Sequence, residues 1–119
     1  MLSLEALLLF DLDGFKKLND EHGHLLGDGL LRAIGSVLFK NVRKEVDSAF
    51  RYGGDEFTVL LPGADAQTAA TFAERVRREI VELRIEGQQV AVGASMGVAQ
   101  FDKQTPGQQI VAQADSAMY

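Results

Sequence analysis

The chain has 119 residues, with 12 basic and 17 acidic side chains and a formal net charge of −5. Apolar residues make up 46% and charged residues 24%, which is typical of one compact soluble domain rather than a fibrous, disordered or membrane-spanning chain. The negative charge argues against binding to a nucleic-acid polymer and against membrane contact. Because there is no cysteine, disulfides and thiolate chemistry are excluded, and we expect a cytoplasmic location.

The first part of the chain predicts a strand followed by two helices. Residues 4–12 are rich in apolar side chains and run into a polar turn at Asp13 and Gly14, which indicates a buried strand. Residues 15–22 predict a short helix. Apolar residues at the spacing of one helical face then follow Gly27 and Asp28: Leu30, Leu31, Ile34, Val37 and Leu38.

The middle of the chain predicts a hairpin. Residues 48–52 and 57–61 favour strand, and the turn between them contains Gly53 and Gly54, which accept positive φ angles. Residues 65–83 then predict an amphipathic helix, and residues 90–101 predict a strand pair or one long strand. Pro106 is expected to open a last helix that runs to Tyr119. This order predicts an α+β sheet that helices cover mainly on one face.

Acidic residues stand at the end of the first strand and in the hairpin turn. The carboxylate oxygens of Asp11 and Asp55 are hard donors that suit Mg²⁺ and would hold it against phosphates. The alternative is that Asp11 and Asp13 only end a strand, while Asp55 and Glu56 only solvate a turn. Residue chemistry alone leaves both interpretations open.

Two glycine-containing segments suit the approach of a nucleotide. Gly14, Phe15 and Lys16 lie at a predicted helix start, where unpaired amides favour an anion, although helix initiation alone would explain them. Gly53 and Gly54 would allow close backbone approach, or would serve only the turn.

The segment from Arg51 to Phe57 contains the complete GGDEF signature, and the chain resembles the GGDEF family of diguanylate cyclases along nearly its whole length. Residues 11–20, Gly23-His24, Gly27-Asp28, residues 95–98 and Ala114-Asp115 are in register with that family. The resemblance implies a nucleotidyl-cyclase or palm-like fold with a ferredoxin-like core, a mainly antiparallel sheet, flanking helices and a GGDEF β-hairpin. It also implies condensation of two GTP into cyclic di-GMP with release of two pyrophosphates, for bacterial second-messenger signalling.

The resemblance assigns roles to individual residues. It implies two Mg²⁺ or Mn²⁺ ions per site, held by Asp11, the carbonyl of Leu12 and Asp55. Asp55 and Glu56 are the implied catalytic residues, with Glu56 the weaker candidate, as ligand or proton acceptor. The implied substrate-binding residues are Gly14, Phe15, Lys16, Asn19, Asp28, Gly53 and Gly54. Asn19 and Asp28 would pair with guanine, although Asn19 alone suits a helix surface and Asp28 a helix N-cap.

The resemblance also implies partners and a product-binding site. Two active sites must face each other, so a homodimer is expected, with a sensory or receiver domain elsewhere in the parent protein. At the family's inhibitory product site this chain has Lys44 and Asp47, and Arg75 matches a secondary product-contacting position on the following helix, although an exposed helical arginine is usually only solvated. Because lysine lacks the planar fork of arginine, we expect weak feedback. Residues 1–119 are expected to form a single GGDEF domain that lacks the usual N-terminal segment and the C-terminal end.

Two other functions are weighed against an active cyclase. One is a catalytically inactive GGDEF module that binds GTP or cyclic di-GMP and acts as a regulatory domain. The other is a different nucleotidyl-transfer reaction on a palm-like fold. His22 and His24 have no third ligand at zinc spacing, and no chemistry is assigned to them.

Overall fold

The computed structural model describes residues 4–85, 87–89, 92–102 and 107–117. Their helices and strands follow in the order β1 (Glu5–Asp13), α1 (Phe15–His22), α2 (His24–Asn41), β2 (Ser48–Gly53), β3 (Glu56–Pro62), α3 (Ala66–Val81), β4 (Arg84–Ile85), β5 (Gln88–Gln89), β6 (Gly93–Phe101) and α4 (Gly107–Ala117). Among the described residues, no helix is both long and apolar enough to cross a membrane.

The main sheet has four strands in the order β2-β3-β1-β6, and every neighbouring pair is antiparallel. β1 lies at its centre and pairs with both β3 and β6. The predicted hairpin is confirmed as β2 and β3, and Gly54 in its turn has a φ of 46°. The antiparallel α+β architecture that the sequence predicted is therefore present.

Alternating side chains of β1 face two different hydrophobic clusters. Ala6, Leu8 and Phe10 belong to the larger cluster, which also contains apolar residues of α1, α2 and α3. Leu7 lies on the opposite face with Ala99 of β6 and Ala114 of α4. The larger cluster lies on one face, and α4 adds a smaller cluster on the other.

Residues 90–101 were predicted as a strand pair or one long strand, and the structure has the long strand, β6, beginning at Gly93. A separate two-residue ladder of β4 and β5 was not predicted, because elements this short have no periodicity to detect. Residues 90–91, the predicted helix opening at residues 105–106 and its end at residues 118–119 lie outside the described residues.

The N-cap alternative for Asp28 was wrong. α2 begins at His24 with Gly23 as its N-cap, so Asp28 lies inside the helix. Gly23 has a φ of 87° and ends α1 as well, where its N–H donates to Asn19 O. A single glycine therefore separates the two helices, and the chain turns sharply between them.

Candidate active site

The register of the sheet brings the acidic end of β1 beside the hairpin turn. Asp11 lies opposite Glu56 in the pairing of β1 with β3. One step further along, Leu12 N donates to Asp55 O at 3.1 Å. Asp11, Leu12, Asp55 and Glu56, which the sequence placed in two distant segments, are therefore neighbours at one end of the sheet.

These groups suit a hard divalent cation. The donors are the carboxylates of Asp11 and Asp55 and the carbonyl of Leu12, all of them oxygen. The described residues contain no group of three or more His, Cys, Asp or Glu that could hold a metal alone. Mg²⁺ is usually bound through one or two carboxylates, with substrate phosphates and water completing its shell, so the sparse set fits a metal that arrives with a nucleotide.

The start of α1 leaves its amides without a side-chain cap. Gly14 is the N-cap, in the left-handed region at φ 81° and ψ 9°, and no side-chain cap bond is present among the described residues. The Phe15 side chain is buried in the larger hydrophobic cluster, so Phe15 offers only its backbone to a ligand at the helix start. Lys16 is exposed. Open amides and the positive end of the helix dipole favour an anion here.

Asn19 and Asp28 are brought together where α1 packs on α2. Asn19 is half-buried, and its Oδ1 is buried without a hydrogen-bond partner among the described residues. Its amide lies directly over Gly27, where a Cβ atom would come within 1.8 Å of Oδ1. Asp28, the next residue on α2, is exposed. An amide and a carboxylate therefore flank the same turn of α2.

The hairpin turn is open. Asp55 and Glu56 are half-buried, and a Cβ atom added to Gly53 or Gly54 would meet nothing within 4 Å. A side chain would therefore fit at either position. The positive φ of Gly54 would nevertheless strain any other residue, although asparagine and aspartate adopt it at lower cost.

Arg51, to which the sequence assigned no role, shares a groove with the predicted site residue Asp28. It pairs with buried Phe57 across β2 and β3, so its side chain lies on the face of the sheet that carries the larger hydrophobic cluster. There it lines a groove of about 960 Å³ between α2 and β2, together with Asp28 and Arg32. Alternation along the hairpin strands, with Phe57 taken as buried, would have placed Arg51 on this face.

The predicted product-binding residues are all engaged within the chain. Arg43 binds the Asp47 carboxylate: Nη2 donates to Oδ1 at 2.6 Å, and Nε lies 3.1 Å from both oxygens. The Asp47 side chain is only 2% exposed. Hydrogen bonding to Asp47 raises the pKa of the Arg43 guanidinium. The partner of Asp47 is thus Arg43, one residue before the Lys44 that the resemblance assigns to the product site.

Lys44 and Arg75 line different grooves. Lys44 Nζ lies 5.8 Å from the centre of the Phe39 ring. Arg75 Nε donates to Asn41 Oδ1 at 2.7 Å, and its guanidinium lies over Phe72. Arg75 lines a groove of about 320 Å³ and Lys44 lines the larger groove, while Asp47 lines both.

Fold and site together define a class of protein: an α+β domain whose antiparallel sheet carries carboxylates at the end of its central strand and on the neighbouring hairpin. The family model described as "Diguanylate cyclase, GGDEF domain" matches residues 3–119. The chain belongs to this GGDEF family.

Individual relatives agree with the family. The chain is 35% identical over 117 residues to diguanylate cyclase DosC of Escherichia coli K12, covering 96% of this chain and 25% of DosC. It is 39% identical to diguanylate cyclase VdcA of Vibrio cholerae, covering 96% and 35%. The GGDEF domain of DgcB from Caulobacter crescentus, solved in complex with c-di-GMP, superposes with a TM-score of 0.85 at 31% identity, covering 97% and 70%. The chain thus spans about a quarter to a third of the two curated relatives.

Proposed function

We propose that this chain is the catalytic core of a cytoplasmic diguanylate cyclase, which condenses two GTP into cyclic di-GMP and releases two pyrophosphates. One observation carries the proposal: the pairing of Asp11 with Glu56, and of Leu12 with Asp55, gathers the acids of β1 and of the hairpin at one end of the sheet. Relatives named as diguanylate cyclases support the same reaction.

The substrate would lie across the end of the sheet and the two helices. Asn19 and Asp28 would bind guanine, since a carboxylate accepts from its ring and exocyclic N–H groups and an amide pairs with its acceptor edge. The uncapped amides after Gly14, with exposed Lys16, would bind the phosphates. The open hairpin turn at Gly53 and Gly54 leaves room for the nucleotide.

Asp11, Asp55 and the carbonyl of Leu12 would hold two Mg²⁺ or Mn²⁺ ions. Bound there, such ions supply Lewis-acid stabilisation of the charge that develops on the phosphates. The 3′-hydroxyl oxygen of one GTP forms a bond to the α-phosphorus of the other, and the bond from that phosphorus to pyrophosphate breaks. Glu56 is the proposed acceptor of the hydroxyl proton. The same exchange, repeated with the roles reversed, closes the ring.

Each subunit would contribute one GTP, so turnover would need a homodimer with facing sites. The relatives are several times longer than this chain, which supports a sensory or receiver domain elsewhere in the parent protein. Product feedback would be weak, because Asp47 is occupied by Arg43 and Lys44 cannot form a planar fork.

Replacing Asp55 tests the proposal. The purified chain, at concentrations high enough to dimerise, is incubated with GTP and Mg²⁺, and nucleotides and pyrophosphate are quantified. We expect Asp55→Ala to lower turnover by about a hundredfold or more while GTP binding is retained, because its carboxylate acts on the metal. Glu82→Gln, which removes an exposed charge outside the site, is the control.

Unchanged turnover in Asp55→Ala would refute the site assignment. A wild-type chain that binds GTP and forms no cyclic di-GMP, even as a dimer, would instead support the inactive GGDEF module. Binding and turnover are therefore measured on the same preparation.

A further inference from the structure

A hydrogen bond joins β6 to the last residue of β1. Ser95 Oγ donates to both carboxylate oxygens of Asp13, at 2.8 Å to Oδ1 and 3.0 Å to Oδ2. In the sheet Asp13 lies opposite Gly93 and Ser95 lies opposite Asp11, so the bond runs diagonally across the strand pair. The proposed function uses neither Ser95 nor Asp13.

Asp13 directly precedes Gly14, the N-cap of α1. At the N-cap position aspartate is among the residues that most often bind the free amides, and a negative charge close to a helix start is favourable. Among the described residues, α1 nevertheless has no side-chain cap, and its first turn has no acidic residue. Asp13 is the acid nearest in sequence to these amides. Its carboxylate is instead bound by Ser95 of β6.

We propose that Ser95 is a positioning residue for the GTP phosphates. By fixing the Asp13 carboxylate against β6, it keeps the first amides of α1 open and holds a negative charge away from the place where the phosphates lie. This inference rests on the proposed function, in which the phosphates bind at α1. Without the hydroxyl, the exposed Asp13 side chain is free to rotate toward the helix start and compete with the phosphates.

A purely structural role for Ser95 makes a different prediction. If the bond only strengthens the pairing of β1 with β6, its loss would lower stability. Nucleotide binding would then weaken equally in Ser95→Ala and in the double variant, because both lack the bond. If Ser95 acts by restraining the Asp13 charge, removing that charge would reverse the loss of affinity. The two residues are therefore tested as a double-mutant cycle.

The probe is 3′-deoxy-GTP with Mg²⁺, which cannot condense because it lacks the attacking hydroxyl, and binding is measured by calorimetry. We expect Ser95→Ala to weaken binding about tenfold, the scale of a hydrogen bond to a charged group. Ser95→Thr should restore it, and adding Asp13→Ala to Ser95→Ala should return binding to within about twofold of wild type. Ser36→Ala is the matched control, because among the described residues the bond that Ser36 Oγ makes is to Arg32 O of its own helix.

Thermal melts of all variants show whether each one folds. Wild-type affinity in a folded Ser95→Ala, or the same loss with Asp13→Ala present, would overturn the inference and leave the proposed function intact. No binding of 3′-deoxy-GTP by the wild-type chain would overturn both.

Discussion

Gly27 of α2 lies against the Asn19 side chain of α1, and a single substitution at Gly27 would disturb this packing. The Asn19 amide occupies the space that a Cβ atom on Gly27 would need, and its Oδ1 has no partner among the described residues. A buried amide oxygen without a partner costs free energy unless something binds it. Gly27 therefore permits the orientation of Asn19 that the proposed guanine contact needs.

Gly27→Ala should displace Asn19. An alanine inside a helix is favoured over glycine by about 1 kcal/mol, but the overlap with Oδ1 opposes this gain. We expect binding of 3′-deoxy-GTP to weaken about tenfold, as in Asn19→Ala, since both changes remove the amide from its place. Gly35→Ala, exposed on the same helix with nothing within 4 Å, should instead raise stability by up to about 1 kcal/mol. Unchanged binding in Gly27→Ala would contradict this placement of Asn19.

At the scale of elements, α2 and α3 are joined by polar side chains. Asn41, at the end of α2, donates to Glu79 Oε2 and accepts from Arg75 Nε, both on α3. Lys40 Nζ lies 2.6 Å from Glu79 Oε1, and hydrogen bonds from Lys40 and Asn41 lower the pKa of Glu79. The end of α2 is thereby held against α3, beyond the apolar contacts that the helices share.

The start of α3 shows how one side chain fixes a helix end. Asp65 is its N-cap, and Oδ1 accepts from Thr68 N at 2.8 Å. This bond lowers the pKa of Asp65 below its ordinary value of 3.8. Because the carboxylate form is favoured in the folded state, its contribution to stability is present above that ordinary value and is lost as the pH falls through the folded-state pKa.

Asp65→Asn should separate capping from titration. Asparagine also caps helices but does not ionise, so the melting temperature at pH 7 should change little. As the pH falls from about 5 through the ordinary aspartate pKa and below it, the variant should lose less melting temperature than wild type. Asp65→Ala should lower the melting temperature by a few degrees at pH 7. Parallel pH profiles for wild type and Asp65→Asn would contradict the link between this carboxylate and acid sensitivity.

At the scale of the whole molecule, β1 connects two unequal clusters. Leu8 is fully buried in the larger one, while Leu9 packs half-buried against the smaller one beneath α4. Truncating a buried leucine removes its transfer free energy and leaves a cavity, whereas a half-buried leucine loses less of both. The two faces of one strand should therefore contribute unequally to stability.

Leu8→Ala should lower the free energy of unfolding by about 3 kcal/mol, and Leu9→Ala by less than half of that. Urea unfolding of both variants measures the difference, with unchanged m-values showing that the unfolding transition remains comparable. Equal losses would mean that α4 buries its face of β1 as fully as the other three helices bury theirs.

The sequence by itself determined the types and order of the main elements, the hairpin, and the acids at Asp11, Asp55 and Glu56. These features are local: strands and helices repeat every 2.0 or 3.6 residues, and a signature is a run of neighbouring residues. The complete GGDEF signature also led to the family that the comparison then showed. The fold class followed from the same patterns and from the resemblance.

Only the tertiary structure decided which distant side chains meet. Ser95 bonds to Asp13 across 82 positions, and Asn19 packs on Gly27 where two helices cross. The start of α2 at His24 put Asp28 inside the helix, and the loop before β2 folded Arg43 back onto Asp47. Such contacts depend on strand register and helix packing, and a register change of one residue would turn every side chain of a strand to the other face. No local stretch of sequence contains that information.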